Sequence, residues 1–420
     1  MFVAILRQRH WALLWAGQVC SAVGDHLYTI ALMWLAVRIA GSAAGLVAAA
    51  ETGALLLFGL LGGVYADRWD RRRTMIVADL LRAAAVATLS LAAWAGELTL
   101  WHLGAVAGVL GALTALFDPA LQASLPALAG DARTLQSVNG LMDVTRRVAR
   151  TIGPSLAGAL TALMPITHLF TIDAVTFVVS ALAIAALGRR WRWRPGPDGT
   201  RVPGLRGVLA ELRSAGRALR AHRPLVWGLA SHAVGGGIAW SAAFTVGVPL
   251  LTERVLHGGA GDYGLIVGAY GAGNVLSNLV VASLRIRRRV VVMFTGRALM
   301  GLGFLVMAGA TTLPLALAGA ALAAIGGPMG DIVQLTMIQT DLPSHQIGKV
   351  YSLRMIVTGV GSALGLVVAG PLFTALGVPA AIALCGALSV VVGLAGLARF
   401  GLREPAAPAL ALAAGDAELD

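Results

Sequence analysis

The sequence predicts an all-α membrane protein with twelve transmembrane helices in two pseudo-symmetric six-helix bundles. Three observations carry that prediction: an apolar content too high for a soluble domain, apolar runs of membrane-spanning length, and a weak repeat across one long polar segment. Of the 420 residues, 58% are apolar and only 12% are charged. A soluble domain carries about 25% charged residues. A spanning helix uses roughly 20 apolar residues, so this content suffices for about twelve. With a mean hydropathy of +0.80, a soluble globular enzyme, a disordered chain and a collagen-like chain are excluded. A membrane β-barrel would alternate apolar and polar residues over roughly ten positions, whereas the runs here are unbroken and longer.

Apolar spans are read near 11–38, 44–66, 74–96, 101–127, 136–163, 167–187, 224–252, 262–284, 290–310, 313–340, 346–375 and 377–400. Several are long enough to require tilt or curvature. The 53 glycines fit helices that approach closely in lipid. Orientation follows from the basic residues, which favour the cytoplasmic side. Twenty-four of the 32 fall at the N-terminus, after the even-numbered spans or in the central segment, and only Arg38 and Arg254 fall on the other face. Both ends are therefore expected in the cytoplasm, and the protein in the bacterial inner membrane. No cleavage site precedes the first span, which is expected to act as an uncleaved insertion signal.

The organisation read from this is an N-terminal six-helix bundle over 1–187, a cytoplasmic linker over 188–223, a C-terminal bundle over 224–403 and a disordered tail over 404–420. The first part of the linker is rich in Pro and Gly. Its second part sets Arg213, Arg217 and Arg220 on one helical stripe and Leu209, Leu212 and Leu219 on another. That pattern fits an amphipathic helix on an anionic leaflet, or a solvated connector. The net charge of +12 is explained by this topology, so no nucleic-acid partner is inferred. At a spacing of 212 residues, Gln122 falls on Gln334, Leu141 on Leu353, Gly153 on Gly365 and Gly158 on Gly370. Two homologous halves around a shared path are the arrangement of many secondary transporters.

Charges at membrane depth are costly and are functional candidates by default. Asp25 lies near the middle of span 1, and Glu51 in span 2. A desolvated carboxyl at such a place can exchange a proton near neutral pH, so these two are the proton-coupling candidates. Asp79 and Arg82 have the spacing of an ion pair, and Arg297 occupies a comparable place in span 9. Asp143, Arg147 and Arg150 share a stripe on span 5. Asp173 sits near the start of span 6, and Asp331 and Arg354 lie on spans 10 and 11. Asp118 lies roughly 26 Å down span 4 at 1.5 Å per residue. That depth brings it within expected reach of Arg71 or Arg72. Trp240, Phe244, Tyr270 and Asn274 are midplane candidates for substrate contact, the rings by stacking or by holding a cation; core packing is the alternative for each. Cys20 and Cys385 have no metal or disulfide spacing. No catalytic constellation, metal cluster, cofactor site or nucleotide-binding loop is read, so no enzyme activity is expected and an ion gradient must supply the energy.

The segment Gly63-Val-Tyr-Ala-Asp67-Arg68-Trp-Asp70-Arg71-Arg72-Arg73 resembles the loop signature of the major facilitator superfamily, with Asp70 standing where the pattern has a second glycine. The opening from Arg9 to Asp25 and the segment Phe117-Asp118-Pro119 to Pro126 are similar to the branch that includes macrolide efflux pumps and the enterobactin exporter, of the drug:proton antiporter type. Ala149 to Gly158, containing Gly153 and Pro154, resembles that superfamily's antiporter motif, with Ala149 and Ala157 in place of glycines. The resemblance implies a proton-coupled exporter of amphiphilic molecules of the drug, macrolide or siderophore class, working by alternating access. It also implies that Gly63, Asp67, Arg68, Arg71, Arg72 and Asp118 form a cytoplasmic gate. The expected partners are a small-molecule substrate, protons and membrane lipids, with the chain monomeric. An importer or uniporter of the same fold, or a non-transporting receptor or scaffold, is the alternative.

Overall fold

The structure is a computed structural model that describes residues 5–65, 70–129, 131–187, 213–217, 219–220, 222–284 and 286–401. These form α1 Arg9–Ala40, α2 Gly45–Tyr65, α3 Arg71–Ala95, α4 Leu100–Ala129, α5 Ala132–Thr161 and α6 His168–Ala186. After the linker come α7 Arg223–Arg254, α8 Ala260–Ser283, α9 Arg289–Ala308, α10 Leu313–Asp341, α11 Ser344–Leu376 and α12 Val378–Phe400. No strand occurs among the described residues. Ten stretches are long and apolar enough to cross a membrane. One of them, Arg9–Gly59, runs through α1 into α2. α5 falls short of that test because Arg146, Arg147 and Arg150 interrupt its apolar run.

Local chemistry sets the helix ends. Asp70 caps α3, its Oδ1 accepting from the Arg73 backbone N–H at 3.0 Å. This is a reason for an acid where the related loop pattern has glycine. Asp131 caps α5 in the same way through Thr134 at 2.9 Å. Gly96 closes α3 at φ +74°, a conformation that side chains resist. α7 departs from regular pitch: His232–Ala239 and Ser241–Gly247 are wound as wide π turns. Such turns are rare and cluster at functional sites.

Within the first half, α1 packs on α5 and α6, α2 on α4, and α3 on α4 and α6. In the second half, α9 packs on α10 and α12, α8 on α10, and α7 on α11. The outward faces stay apolar and exposed, as at Leu182, Leu276, Leu279 and Val391. Trp94 and Trp101 are exposed beside the α3–α4 turn, where aromatic rings suit a membrane–water interface. In the linker, Arg213, Arg217 and Arg220 are exposed, as the stripe requires. Leu219 and Ala215, however, are buried in a cluster with Leu225, Val290, Met293 and Ile338. The apolar side of this segment is therefore covered by protein rather than lipid. Leu209 and Leu212, and the tail over 404–420, lie outside the described residues.

The two halves meet through α5 on α8 and α2 on α11. Lipid offers no hydrophobic drive for helix association, so close packing must do the work. A Cβ on Gly264 would come within 2.8 Å of the Pro154 carbonyl and of the Gly158 Cα. A Cβ on Gly158 would lie 3.0 Å from the Gly261 carbonyl. Side chains are thus excluded where α5 crosses α8. The named polar contacts between halves lie at the end where α1 turns into α2. Arg38 Nε is 3.5 Å from Glu253 Oε1, and Ser42 Oγ is 2.9 Å from Thr374 Oγ1. An exposed ion pair of this kind contributes only about 0–1 kcal/mol, so the glycine crossing carries the contact. Gly41, at φ +56°, makes the turn with the Arg254 guanidinium where a Cβ would stand.

This geometry predicts that Ser42→Cys with Thr374→Cys, in a chain with Cys20 and Cys385 replaced by Ser, forms a disulfide on mild oxidation. Non-reducing electrophoresis after cleavage of the linker reads it as two halves that stay together until reductant is added.

Candidate functional site

Between the halves lies a cavity of about 480 Å³, walled by α1, α5, α7, α8, α9, α10 and α11. The four substrate-contact candidates read from the sequence share its wall. Trp240 and Phe244 stack at 5.3 Å between centroids with 19° between planes. Phe244 meets Tyr270 at 4.3 Å. The two rings are four residues apart on α7, a spacing that places side chains on one helix face. Trp240 Nε1 donates to Tyr270 Oη at 2.9 Å, which fixes the phenol. Asn274 Oδ1 accepts from Asn278 Nδ2 at 3.0 Å, leaving the Asn274 amide N–H groups for the cavity.

The polar wall comes from the second half. Asp331 Oδ1 accepts from Arg354 Nη2 at 3.2 Å and lies 3.0 Å from His232 Nδ1. Arg354 Nε also donates to Gln334 at 2.9 Å. His232 Nδ1 is in turn 2.9 Å from Arg297 Nη2. One nitrogen cannot serve both neighbours: protonated, it donates to Asp331; bare, it accepts from Arg297. Arg297 is 4% exposed, and its Nε has no partner among the described residues. It crosses α7 at Gly235, where a Cβ would lie 2.5 Å from its Cδ. Glycine at this position makes room for the arginine. From the first half, His26 and Arg150 face the same cavity. The sequence analysis does not single out His26 and His232; the signal that marks them is an ionisable side chain inside a span, the same signal that marks the acids and arginines.

Asp25 and Glu51 do not line that cavity. They belong to an acidic group within the first half. Asp79 and Arg82 form the ion pair expected from their spacing, at 3.3 Å. Arg82 lies over the rings of Phe117 and Phe177, 4.7 and 5.4 Å from their centroids. It is within electrostatic reach of Asp25, Asp118 and Asp173 as well. Glu51 is within reach of Asp25. Thr176 donates to Asp173 Oδ1 at 3.2 Å. Asp79 Oδ2 and Asp173 Oδ2 are buried with no partner among the described residues. Asp25 itself is exposed, although it lies near the centre of α1.

The gate residues are arranged differently from expectation. Arg71 Nη1 donates to the Ala123 carbonyl at 2.6 Å. Arg72 donates to the carbonyls of Ile184 at 3.2 Å and Ala185 at 2.5 Å. Both thus bind helix carbonyls of their own half, near the ends of α4 and α6. The last carbonyls of α6 have no intrahelical donor and are strong acceptors for Arg72, and Asp118 is instead in the field of Arg82 and Arg146. Gly63 lies in the last turn of α2; Asp67 and Arg68 lie outside the described residues. In the antiporter-like segment, Gly153 lies against His26, Pro154 lines the cavity, and Gly158 makes the crossing with α8. Among the described residues no three His, Cys, Asp or Glu side chains group to hold a metal.

The model of a family described as transmembrane secretion effectors matches residues 2–415. The chain belongs to that family, within the major facilitator superfamily. It is 31% identical over 401 residues to the multidrug efflux pump Tap of Mycobacterium tuberculosis, covering 91% of this chain and 92% of that protein. It is 30% identical over 174 residues to macrolide efflux protein A of Streptococcus pyogenes, covering 41% and 43% of the two chains. Among solved structures, a POT family transporter in complex with a thioalcohol-conjugated peptide matches with a TM-score of 0.71 at 12% identity, over 93% of this chain and 96% of that one. The nucleoside transporter NupG, as its D323A mutant, matches at 0.70 and 14%, over 93% and 99%. At such identities these structures show the fold alone. The protein is thus a multi-pass transporter of this superfamily, and the cavity lies where its two halves face each other.

Asp331 and Arg354 are in contact and only partly exposed, so removing the guanidinium leaves the carboxylate less well compensated. Arg354→Gln is therefore expected to lower the thermal unfolding midpoint. Combining it with Asp331→Asn should restore part of the loss. A double-mutant cycle on detergent-purified protein measures the coupling, expected at roughly 0.5–3 kcal/mol for residues in contact.

Proposed function

We propose that this protein is a proton-coupled secondary exporter of amphiphilic organic molecules, working by alternating access in the bacterial inner membrane. The observation that carries the reading is the position of the seal. Among the described residues, the polar contacts between halves lie at the end where α1 turns into α2. That end carries the few basic residues expected outside. The cavity then faces the arginine-rich side, the cytoplasm, which is the loading state of an exporter. The relatives named as efflux pumps support the same direction. Among the described residues, Arg71 and Arg72 bind carbonyls of their own half, which leaves the cytoplasmic ends free to separate.

Coupling is assigned to Asp25, with Glu51 beside it. Four carboxyls, Asp25, Asp79, Asp118 and Asp173, share the field of Arg82, with Arg146 also acting on Asp118, and Glu51 joins them through Asp25. Interacting acids of this kind share protons rather than titrating separately. Asp25 alone of the five combines exposure with a place beside the cavity-lining His26. Proton entry on Asp25 would weaken its attraction to Arg82 and bias α1 against α3. Each charge moved with the potential supplies about 2.3 kcal/mol per 100 mV.

Everted membrane vesicles test this. Energised vesicles should accumulate radiolabelled macrolide or aromatic drugs, and substrate addition should discharge part of the acid-inside gradient. Asp25→Asn should reduce both to background while substrate binding persists. Intact coupled transport in both Asp25→Asn and Glu51→Gln removes the assignment, and net movement out of everted vesicles reverses the direction.

A further inference from the structure

The cavity holds more than a generic amphiphile site. Its aromatic wall is met by groups that donate hydrogen bonds and carry positive charge. Tyr270 Oη accepts from Trp240, so its own O–H points onward. Asn274 Oδ1 is engaged by Asn278, so its N–H groups remain. Both converge on one corner: the position of a Cβ on Gly327 is 3.6 Å from Asn274 Nδ2 and 3.8 Å from Tyr270 Oη, and glycine leaves it empty. Arg297 and Arg150 both act on the Tyr270 hydroxyl, one from each half. Neither has a carboxylate within salt-bridge distance among the described residues. Asp331 is the acid on this wall, and Arg354 and His232 already engage it.

From this we infer that the preferred cargo is a flat aromatic molecule bearing an anionic group, such as a carboxylate or enolate, with its ring on Trp240 and Phe244 and its oxygens in the corner at Gly327. The inference rests on reading this cavity as the transport site. An ammonium cargo would find ring faces and the partly exposed Asp331 here, but Arg354 and His232 already hold that carboxylate, and the cargo would meet two guanidiniums and two neutral donors besides. A neutral cargo would leave Arg297 buried with no carboxylate in direct contact, Asp331 acting on it only across His232, an arrangement that an anion improves. Guanidinium is the group best matched to a planar carboxylate, and hydrogen bonds between ionised groups are about twice as strong as neutral ones. An anion bridging Arg150 and Arg297 would also draw the two halves together, which ties cargo charge to closure.

Three ligands of one shape separate the possibilities: tritiated 1-naphthoate, 1-naphthamide and 1-naphthylmethylammonium, bound to the full chain in lipid nanodiscs with empty discs subtracted. The carboxylate should bind about tenfold tighter than the amide, the equivalent of about 1.4 kcal/mol, and the ammonium more weakly than either. Arg150 is exposed on the cavity wall, so Arg150→Gln should keep the fold and remove most of the gap between carboxylate and amide. Gly327→Ala fits its surroundings sterically and should weaken the carboxylate by filling the corner. Trp240→Ala should weaken all three together. Equal or tighter binding of the ammonium, an unchanged carboxylate-to-amide ratio in Arg150→Gln, or binding of none of the three overturns the inference. Failure of transport in everted vesicles with this order of binding intact would remove the exporter reading and leave the ligand class standing.

Discussion

A charged or polar group inside hydrocarbon must be paired or must face water, and this constraint organises the molecule. The outward faces are apolar, and the ionisable groups of the spans turn inward. The two halves meet the constraint differently. The first gathers carboxyls around Arg82, held over Phe117 and Phe177. The second gathers arginines around Asp331, with His232 between Arg297 and the acid. Two bundles related by a sequence repeat have thus acquired opposite electrostatic character.

Close approach is the other requirement. Because lipid tails are as apolar as leucine, helices gain from packing only where their surfaces fit. Gly158, Gly261 and Gly264 bring α5 and α8 together, and Gly237 sits against the backbone of Gly361 on α11. The antiporter-like segment therefore has two tasks on one helix. Pro154 and Arg150 face the cavity, while Gly158 forms the crossing that seals it. A contact that both closes one end and borders the ligand space is well placed to transmit ligand occupancy to the seal.

Much of this was legible in the chain. The helical rods among the described residues and their order follow from apolar run length, because the bilayer sets that length. Trp240, Phe244, Tyr270 and Asn274 could be named because midplane depth is countable along a helix. The spacing of Asp79 and Arg82 sufficed for their pairing. Other features were not legible. Arg71 and Arg72 reach carbonyls rather than Asp118, and sequence spacing does not show which free backbone oxygens lie nearby. Asp25 and Glu51 stand apart from the ligand cavity, since depth along a helix does not say which way a side chain turns.

By itself the sequence determined the solvent of this protein, its helical class and the pool of intramembrane groups from which a site had to be built. These depend on composition and on period, which are local properties. Only the tertiary structure decided how the pool was divided. It put five acids on one side and the arginine–histidine–aspartate chain on the other, and it placed the donors of Tyr270 and Asn274 over Gly327. It also decided which end is sealed. Such pairings are between residues far apart in the chain, and they are set by helix rotation and crossing, which packing fixes and local pattern does not.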